Sequence, residues 1–300
     1  MYDIVIVGAG PAGLTAAIYA LREEKKVVIL EKETIGGKIT SSSKVENYPG
    51  FKSISGMDLA NNLYEQVIDL GGEINIEEVL SIENGKVKKV ITDENTYETK
   101  SIIIASGSKY KTLNLDNEED LIGNGISFCT VCDGSFYKNK NVCVVGGANS
   151  ALNSALYLSK ICNKVYLIVR GPKLKGDKKV IDDVLSANNI EVLYNATVNE
   201  YVLDNDELVG VEVKSDECEK KLDVEGVFLA IGQSPEIDYL NDLIKVDENN
   251  YVLASEDCIT NIDGIFVAGD VRKKEVRQLT TAVSDGTNAA INAINYLKEV

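Results

Sequence analysis

Short apolar runs rich in β-branched residues recur along the chain, spaced by helical or polar stretches. They fall at residues 3–7, 26–30, 102–105, 141–145, 164–169, 224–230 and 264–268. A continuous apolar run of this length predicts a strand buried on both faces, as in a parallel sheet. Apolar positions with helical spacing predict helices over 14–21, 57–70, 152–160 and about 283–298. Residues 73–99, with turns at Asn84-Gly85 and Asp93-Glu94-Asn95, predict a β-meander, and residues 191–213 a second one. Residues 36–51 and 111–121 are polar and read as a surface loop and an acidic linker. The order strand, turn, helix, strand, meander, strand occurs twice. The fold class expected is therefore α/β, with two Rossmann-like, three-layer nucleotide-binding-type domains, each carrying a meander.

The first strand runs straight into Gly8-Ala9-Gly10-Pro11-Ala12-Gly13, a helix and a second strand that ends on Glu31. A lone GxGxxG is a weak signal, but here strand, turn, helix and acid are all in register. Gly8 makes the turn, Gly10 admits a pyrophosphate to the backbone, and Gly13 lets helix pack on strand. Glu31, 23 residues after Gly8, is spaced to accept from a ribose hydroxyl. The second copy is altered. Gly146-Gly147-Ala148-Asn149-Ser150-Ala151 puts a methyl group at the middle glycine position, and 23 residues on from Gly146 stands Val169, which has no carboxylate. Near the C-terminus, 264–268 ends at Gly269-Asp270, a turn that would set a carboxylate beside cofactor hydroxyls.

Between the two copies lies Cys129-Thr130-Val131-Cys132-Asp133-Gly134. Two thiols two residues apart can close and reopen a disulfide, and Asp133 can carry the proton each exchange needs. The spacing alone also fits half a zinc site or a pair of inert thiols. The chain has no His to complete such a zinc site, and Cys143, Cys162, Cys218 and Cys258 are scattered singly. Proton chemistry falls to carboxylates, thiols or a cofactor.

Composition narrows the partners. With 300 residues the chain has room for about two domains. A net charge of -16 makes nucleic acid an unsuitable partner and disfavours an anionic membrane surface. No apolar run approaches the ~18 residues of a spanning helix. The N-terminus lacks a basic start and a cleavage site, so it is read as a strand and not a signal peptide. Sparse, scattered cysteines fit a reducing cytoplasm.

Taken together, Gly8–Gly13 with Glu31, Gly36-Gly37, residues 45–50, Cys129–Gly134, Gly146–Ala151, and Gly264–Asp270 with Arg277-Gln278 resemble the low-molecular-weight thioredoxin reductases over essentially the whole chain. The resemblance implies FAD, bound by a discontinuous domain of residues 1–113 and 240–300, and a pyridine-nucleotide-type domain of residues 114–239 carrying the CxxC. FAD would be held by Gly8, Gly10, Pro11, Ala12, Gly13, Glu31, Gly36, Gly37, Lys38, Asn47, Ser106, Gly107, Gly269, Asp270, Arg277 and Gln278. It further implies that Cys132 faces the flavin, that Cys129 attacks the disulfide of thioredoxin, that Asp133 is the acid/base, and that the enzyme is a homodimer. Serving both flavin and a protein substrate calls for a domain rotation, hinged near residues 112–117 and 236–242.

The departures from that family concern the electron donor. Members using NADPH usually carry His-Arg-Arg-x-x-x-Arg after the second domain's second strand; here the run is Val169-Arg170-Gly171-Pro172-Lys173-Leu174-Lys175, and its Arg pairing is lost. Pro235-Glu236 replaces a usual Pro-Asn and adds negative charge. The pattern resembles the pyridine-nucleotide-independent branch, whose donor is reduced ferredoxin. An acidic ferredoxin needs a basic patch, for which Lys109, Lys111, Arg272, Lys273 and Lys274 are candidates. The alternatives are an NADPH-dependent reductase using Lys173, Lys175, Lys178 and Lys179 as phosphate contacts, and a non-enzymatic flavin-binding redox sensor.

Overall fold

The computed structural model describes residues 1–215 and 219–300, so Cys218 lies outside the described residues. The chain divides into two compact units, Met1–Lys109 with Ser234–Val300, and Tyr110–Gln233. The crossings at 109/110 and 233/234 fall a few residues before the boundaries expected from the sequence.

In chain order the first unit opens with β1 (Tyr2–Val7), α1 (Pro11–Arg22), β2 (Val27–Glu31), α2 (Gly56–Asp69) and β3 (Glu73–Ile76). It continues with β4 (Val79–Glu83), β5 (Lys88–Thr92) and β6 (Thr96–Ile104), and reaches the first crossing at β7 (Ser108–Tyr110). The second unit holds α3 (Glu118–Leu121), β8 (Ile126–Ser127), α4 (Thr130–Asp133), β9 (Asn141–Val145), α5 (Asn149–Ser159) and β10 (Lys164–Ile168). After them come α6 (Lys178–Ser186), β11 (Ile190–Leu193), β12 (Ala196–Asp204), β13 (Glu207–Ser215), β14 (Glu219–Leu222) and β15 (Gly226–Leu229). The chain returns through β16 (Gln233–Pro235) and ends with β17 (Ile265–Val267) and α7 (Leu279–Leu297).

In the first unit β3, β2, β1 and β6 lie side by side and parallel. The second half of β6 takes β17 in parallel, while its first half pairs antiparallel with β5, which pairs with β4. One strand thus belongs to both the buried sheet and the meander. The expected meander over 73–99 loses its first strand: Glu73–Ile76 pairs with β2 instead. The short apolar strands are buried throughout, as Ile4, Ile6, Ile29 and Ile103 show, because α1 and α7 cover one sheet face. Residues of the meander and of the 237–252 segment cover the other. Ser55 caps α2 by accepting from the Asp58 N–H at 3.0 Å. α7 starts four residues earlier than the apolar pattern suggests, because Gln278 and Thr281 form a reciprocal capping box.

The second unit repeats the plan with an all-parallel sheet in the order β11, β10, β9, β15, β8. α5 and α6 cover one face and the β12–β13–β14 meander the other. The stretch read as a linker, 111–121, is anchored: buried Glu118 accepts from the Leu113 and Leu115 N–H groups and from the Tyr201 hydroxyl at 2.8 Å. Among the described residues no helix is long and apolar enough to cross a membrane.

Candidate active site

In the first unit, β1 delivers its last residue to a turn tied on three sides. The Gly8 N–H donates to Leu30 at 2.8 Å, the Ala105 N–H donates to Val7 at 2.7 Å, and the Gly36 N–H donates to Ala9 at 2.8 Å. Gly8 has φ +103°, and a Cβ there would lie 2.4 Å from the Ala105 carbonyl oxygen. A Cβ on Gly13 would lie 1.9 Å from the Gly8 carbonyl oxygen, so α1 sits on the turn as closely as backbone permits. Gly10 faces open space, with nothing within 4 Å of a Cβ. It N-caps α1 without a side-chain acceptor, and Pro11 follows. Helix N–H groups beside an open glycine form a cradle for a phosphate.

Glu31 is already engaged. Its Oε2 accepts from the Ala9 N–H at 2.8 Å and its Oε1 from the Glu33 N–H at 2.9 Å. The carboxylate is held rigid by the turn it serves, and each oxygen keeps a lone pair for a ribose hydroxyl. Gly37 closes over Gly10, whose Cα lies 3.4 Å from the Cβ that Gly37 lacks. Lys38 pairs with Asp270 at 2.7 Å and donates to the Ser108 hydroxyl at 3.0 Å. Asn47 donates to Gln278 at 3.3 Å. Arg277 lies over the Tyr251 ring at 4.0 Å, with its Nε donating to the Asp270 carbonyl at 3.4 Å. Ser106 is committed to the fold: it donates to the Glu236 carbonyl at 2.7 Å and accepts from the Tyr239 hydroxyl at 3.0 Å. Gly107 and Gly269 both carry positive φ.

One part of this site escaped the sequence reading. The Gly269 N–H donates to Asp285, a carboxylate only 2% exposed on α7. Arg272 donates to Asp285 through Nε and Nη2, and Lys274 donates to it at 2.9 Å. Despite its burial, these cations hold the Asp285 carboxyl below the usual range. Its one sequence signal is an acid on a helix face otherwise made of Gly286, Ala289, Ala290, Ala293 and Ile294. This network changes the reading of the basic patch: Arg272 and Lys274 are buried counter-ions, not a docking surface. Lys109 is likewise paired, with Glu33 at 2.8 Å and Glu236 at 3.3 Å. Glu236 also takes Lys32 at 2.6 Å and belongs to the first unit, so the negative charge expected to repel a nucleotide from the second is offset by two lysines of the first.

In the second unit Cys129 N-caps α4, and its Sγ accepts from the Cys132 N–H at 3.2 Å. The two sulfurs are joined in a disulfide. Val131, between them, is 59% exposed. Asp133 is half-buried and its Oδ2 accepts from the Ser127 hydroxyl at 2.6 Å. Burial pushes the Asp133 carboxyl up, and the Ser127 hydrogen bond opposes that rise. Tyr137, half-buried, is pushed up to about 12 by its desolvation and by the Asp133 charge. Burial pushes the Cys162 thiol up to about 11 and the Cys258 thiol up to about 12. Such thiols carry almost no thiolate near neutrality.

The second glycine turn is a backbone replica of the first. The Gly146 N–H donates to Ile168, the Ala230 N–H to Val145, and the Lys175 N–H to Gly147. Val169 therefore occupies the place of Glu31, and Ala148 that of Gly10. A Cβ on Gly147 would meet the Val169 Cγ1 at 2.7 Å. Where the first turn has a carboxylate, the second has a 3%-exposed methyl surface.

Two Rossmann-like units, one with a dinucleotide cradle and one with a disulfide, define a nucleotide-linked disulfide oxidoreductase. A family model described as pyridine nucleotide-disulphide oxidoreductase matches residues 2–286. A Clostridium pasteurianum protein, described as a 34.2 kDa protein in rubredoxin operon, is 40% identical over 300 residues, 98% of this chain and 97% of its own. The thioredoxin reductase of Listeria monocytogenes is 37% identical over 303 residues, covering 100% of this chain and 95% of its own. The crystal structure of thioredoxin reductase from Streptococcus pyogenes superposes with a TM-score of 0.95 at 36% identity, covering 100% and 99% of the two chains. The chain belongs to the pyridine nucleotide-disulphide oxidoreductase family, among its low-molecular-weight thioredoxin reductases. FAD is the cofactor of this class, and the cradle fits it: Gly10 is open, the N-terminus of α1 has no side-chain cap, and Glu31 is fixed beside the turn.

Proposed function

We propose that this enzyme reduces the disulfide of thioredoxin with the Cys129/Cys132 dithiol, drawing its electrons from reduced ferredoxin. The observation that carries the first half is the disulfide at the N-cap of α4 beside a half-buried carboxyl, Asp133. The first unit's glycine turn, Glu31 and Asp270 would hold FAD, which when bound would supply the two-electron redox chemistry between the donor and the disulfide. In the dithiol form, Cys129 attacks the partner disulfide and Asp133 gives a proton to the departing sulfur. Cys132 then attacks Cys129, restoring the observed disulfide and releasing the second thiol. Two electrons leave the dithiol and both thiol protons end on the product. A raised carboxyl pKa suits this work, because an acid is most useful when its pKa approaches the working pH. The paired cysteines speak against a redox sensor without turnover. The resemblance to the low-molecular-weight reductases supports a homodimer, which a molar-mass measurement in solution by light scattering would test.

The replica turn supports ferredoxin over a nicotinamide donor. Val169 offers no acceptor for a ribose, Ala148 narrows the approach of a pyrophosphate, and Gly171 removes an Arg that could grip a 2′-phosphate. One observation favours the second reading, NADPH: Lys173, Lys175, Lys178 and Lys179 are all exposed around α5, whose N-terminus has no side-chain cap. Anaerobic stopped-flow mixing decides between them. Flavin bleaching by reduced ferredoxin, with none by micromolar NADPH or NADH, is the expected result; rapid bleaching by either nucleotide overturns it. Cys129→Ser and Cys132→Ser should each abolish thioredoxin reduction, and Asp133→Asn should slow it by roughly 10²–10⁴-fold.

A further inference from the structure

Ser127 closes β8 two residues before Cys129 and is only 4% exposed. Its hydroxyl does three things. It accepts from the Cys129 N–H at 3.0 Å, donates to Asp133 Oδ2 at 2.6 Å, and lies 3.4 Å from the Cys129 carbonyl. A hydroxyl has one proton, and the short contact gives it to the carboxylate. The same oxygen therefore ties the backbone of the attacking cysteine to the acid that serves it. We propose that Ser127 is a positioning residue of the thiol–disulfide exchange: it aims the Asp133 carboxyl and sets the pH range over which that group holds its proton. This inference rests on the acid–base reading of Asp133.

The surroundings leave Ser127 little competition. Among the described residues, the titratable groups on the elements packed most closely against α4 are Tyr137, in the turn that follows, and Tyr157 on α5, together with the sulfurs of Cys129 and Cys132; the Lys140 ammonium lies beyond, over the Tyr137 ring at 5.9 Å. α5 carries no charged residue along Asn149–Ser159. Tyr137 is pushed up to about 12 by burial and by the Asp133 charge, so it stays neutral as Asp133 titrates. Ser127 donates to the ionised form of Asp133 and thus lowers its pKa, against burial, which raises it. Removing the hydroxyl must move the Asp133 titration to higher pH. A hydrogen bond to a charged group corresponds to about one to two pH units.

The test uses whole protein with its disulfide reduced chemically, so the identity of the physiological donor is immaterial. Single-turnover oxidation of the dithiol is followed across pH with two small disulfides. Bis(2-hydroxyethyl) disulfide releases a basic thiolate that needs a proton; 5,5′-dithiobis(2-nitrobenzoate) releases a weakly basic one that does not. Asp133→Asn identifies the limb belonging to Asp133, as the one it abolishes with the first reagent. Ser127→Ala should shift that limb to higher pH by about one to two units, slow the first reagent more than the second, and be rescued by Ser127→Thr. Equal slowing with both reagents and an unmoved limb would mean a structural role only and would overturn the inference. An Asp133→Asn enzyme indistinguishable from the parent with both reagents would instead remove the acid–base reading, and this inference with it.

Discussion

The two glycine turns share a backbone and differ in what they offer a ligand. Both hang from the same three main-chain hydrogen bonds, and in both a Cβ on the first glycine would strike a carbonyl of the neighbouring strand, Ala105 in one and Ala230 in the other. In the first, every further detail is polar: Glu31 on the turn, Lys38 on Asp270, Asp285 on Gly269. In the second, Val169 and Ala148 replace the acid and the open glycine. The fold needs the strand–turn–helix backbone, which both keep. That backbone stands without a carboxylate at the Glu31 place, as Val169 shows; recognition of a ligand is what calls for an acid there. The comparison separates what packs a sheet from what recognises a nucleotide.

The charged side of that comparison breaks most severely at Asp285. Asp285→Asn leaves Arg272 and Lys274 buried with their main counter-charge gone, a change that costs about 3–5 kcal/mol. Urea unfolding should show it as a lower midpoint, together with weaker retention of FAD, because the carboxylate that accepts from the Gly269 N–H becomes an amide with a single acceptor oxygen. The same pair predicts acid sensitivity. The folded pKa of Asp285 is depressed, so its stabilisation is complete above the unfolded value of about 4 and is lost as pH falls through the lower folded value. A variant as stable as the parent at both pH 7 and pH 3 would show that the network contributes nothing.

Glu31→Ala comes next. It removes an acceptor from the Ala9 N–H and from the ligand, and FAD affinity should fall by about 1–3 kcal/mol, roughly 5- to 150-fold. Val169→Ala, at the matching place, should leave FAD affinity unchanged while costing some stability of the second unit. Equilibrium dialysis of both variants tests the pairing; equal losses of FAD would dissolve the distinction between the turns.

Much of this was legible in the chain. Strands buried on both faces must be continuously apolar, so Ile4–Val7 and Ile102–Ile104 announce themselves, and positive-φ turns such as Gly8 demand glycine. The CxxC and the loss of an acid at Val169 were readable for the same reason: chemistry restricts the residue type. What stayed hidden depends on tertiary partners. The pairing of β3 with β2 rather than β4 follows from register, not composition. α6 has a single buried residue, Val184, so its run of lysines and aspartates shows no apolar stripe and no element is expected there from the sequence. Ser127 and Asp285 look ordinary until folding brings Asp133 to one and Gly269 to the other.

The smallest effect expected is at Ala148. It N-caps α5 with φ -104° and ψ 176°, extended backbone that any residue adopts, so Ala148→Gly meets no conformational barrier. Glycine is a somewhat better N-cap than alanine, and the thermal midpoint should stay within a degree or two of the parent, a change of about 0.5 kcal/mol or less. The variant reopens the middle of the turn, yet it supplies neither an acceptor at Val169 nor a guanidinium at Gly171. If recognition resides in those side chains, NADPH should still bleach the flavin no more than about tenfold faster than in the parent, the worth of one modest contact. If Ala148→Gly alone gave rapid reduction by micromolar NADPH, a single methyl group would be the whole barrier. The lysines at 173, 175, 178 and 179 would then be a working phosphate site, and the second turn a nucleotide site closed by one substitution.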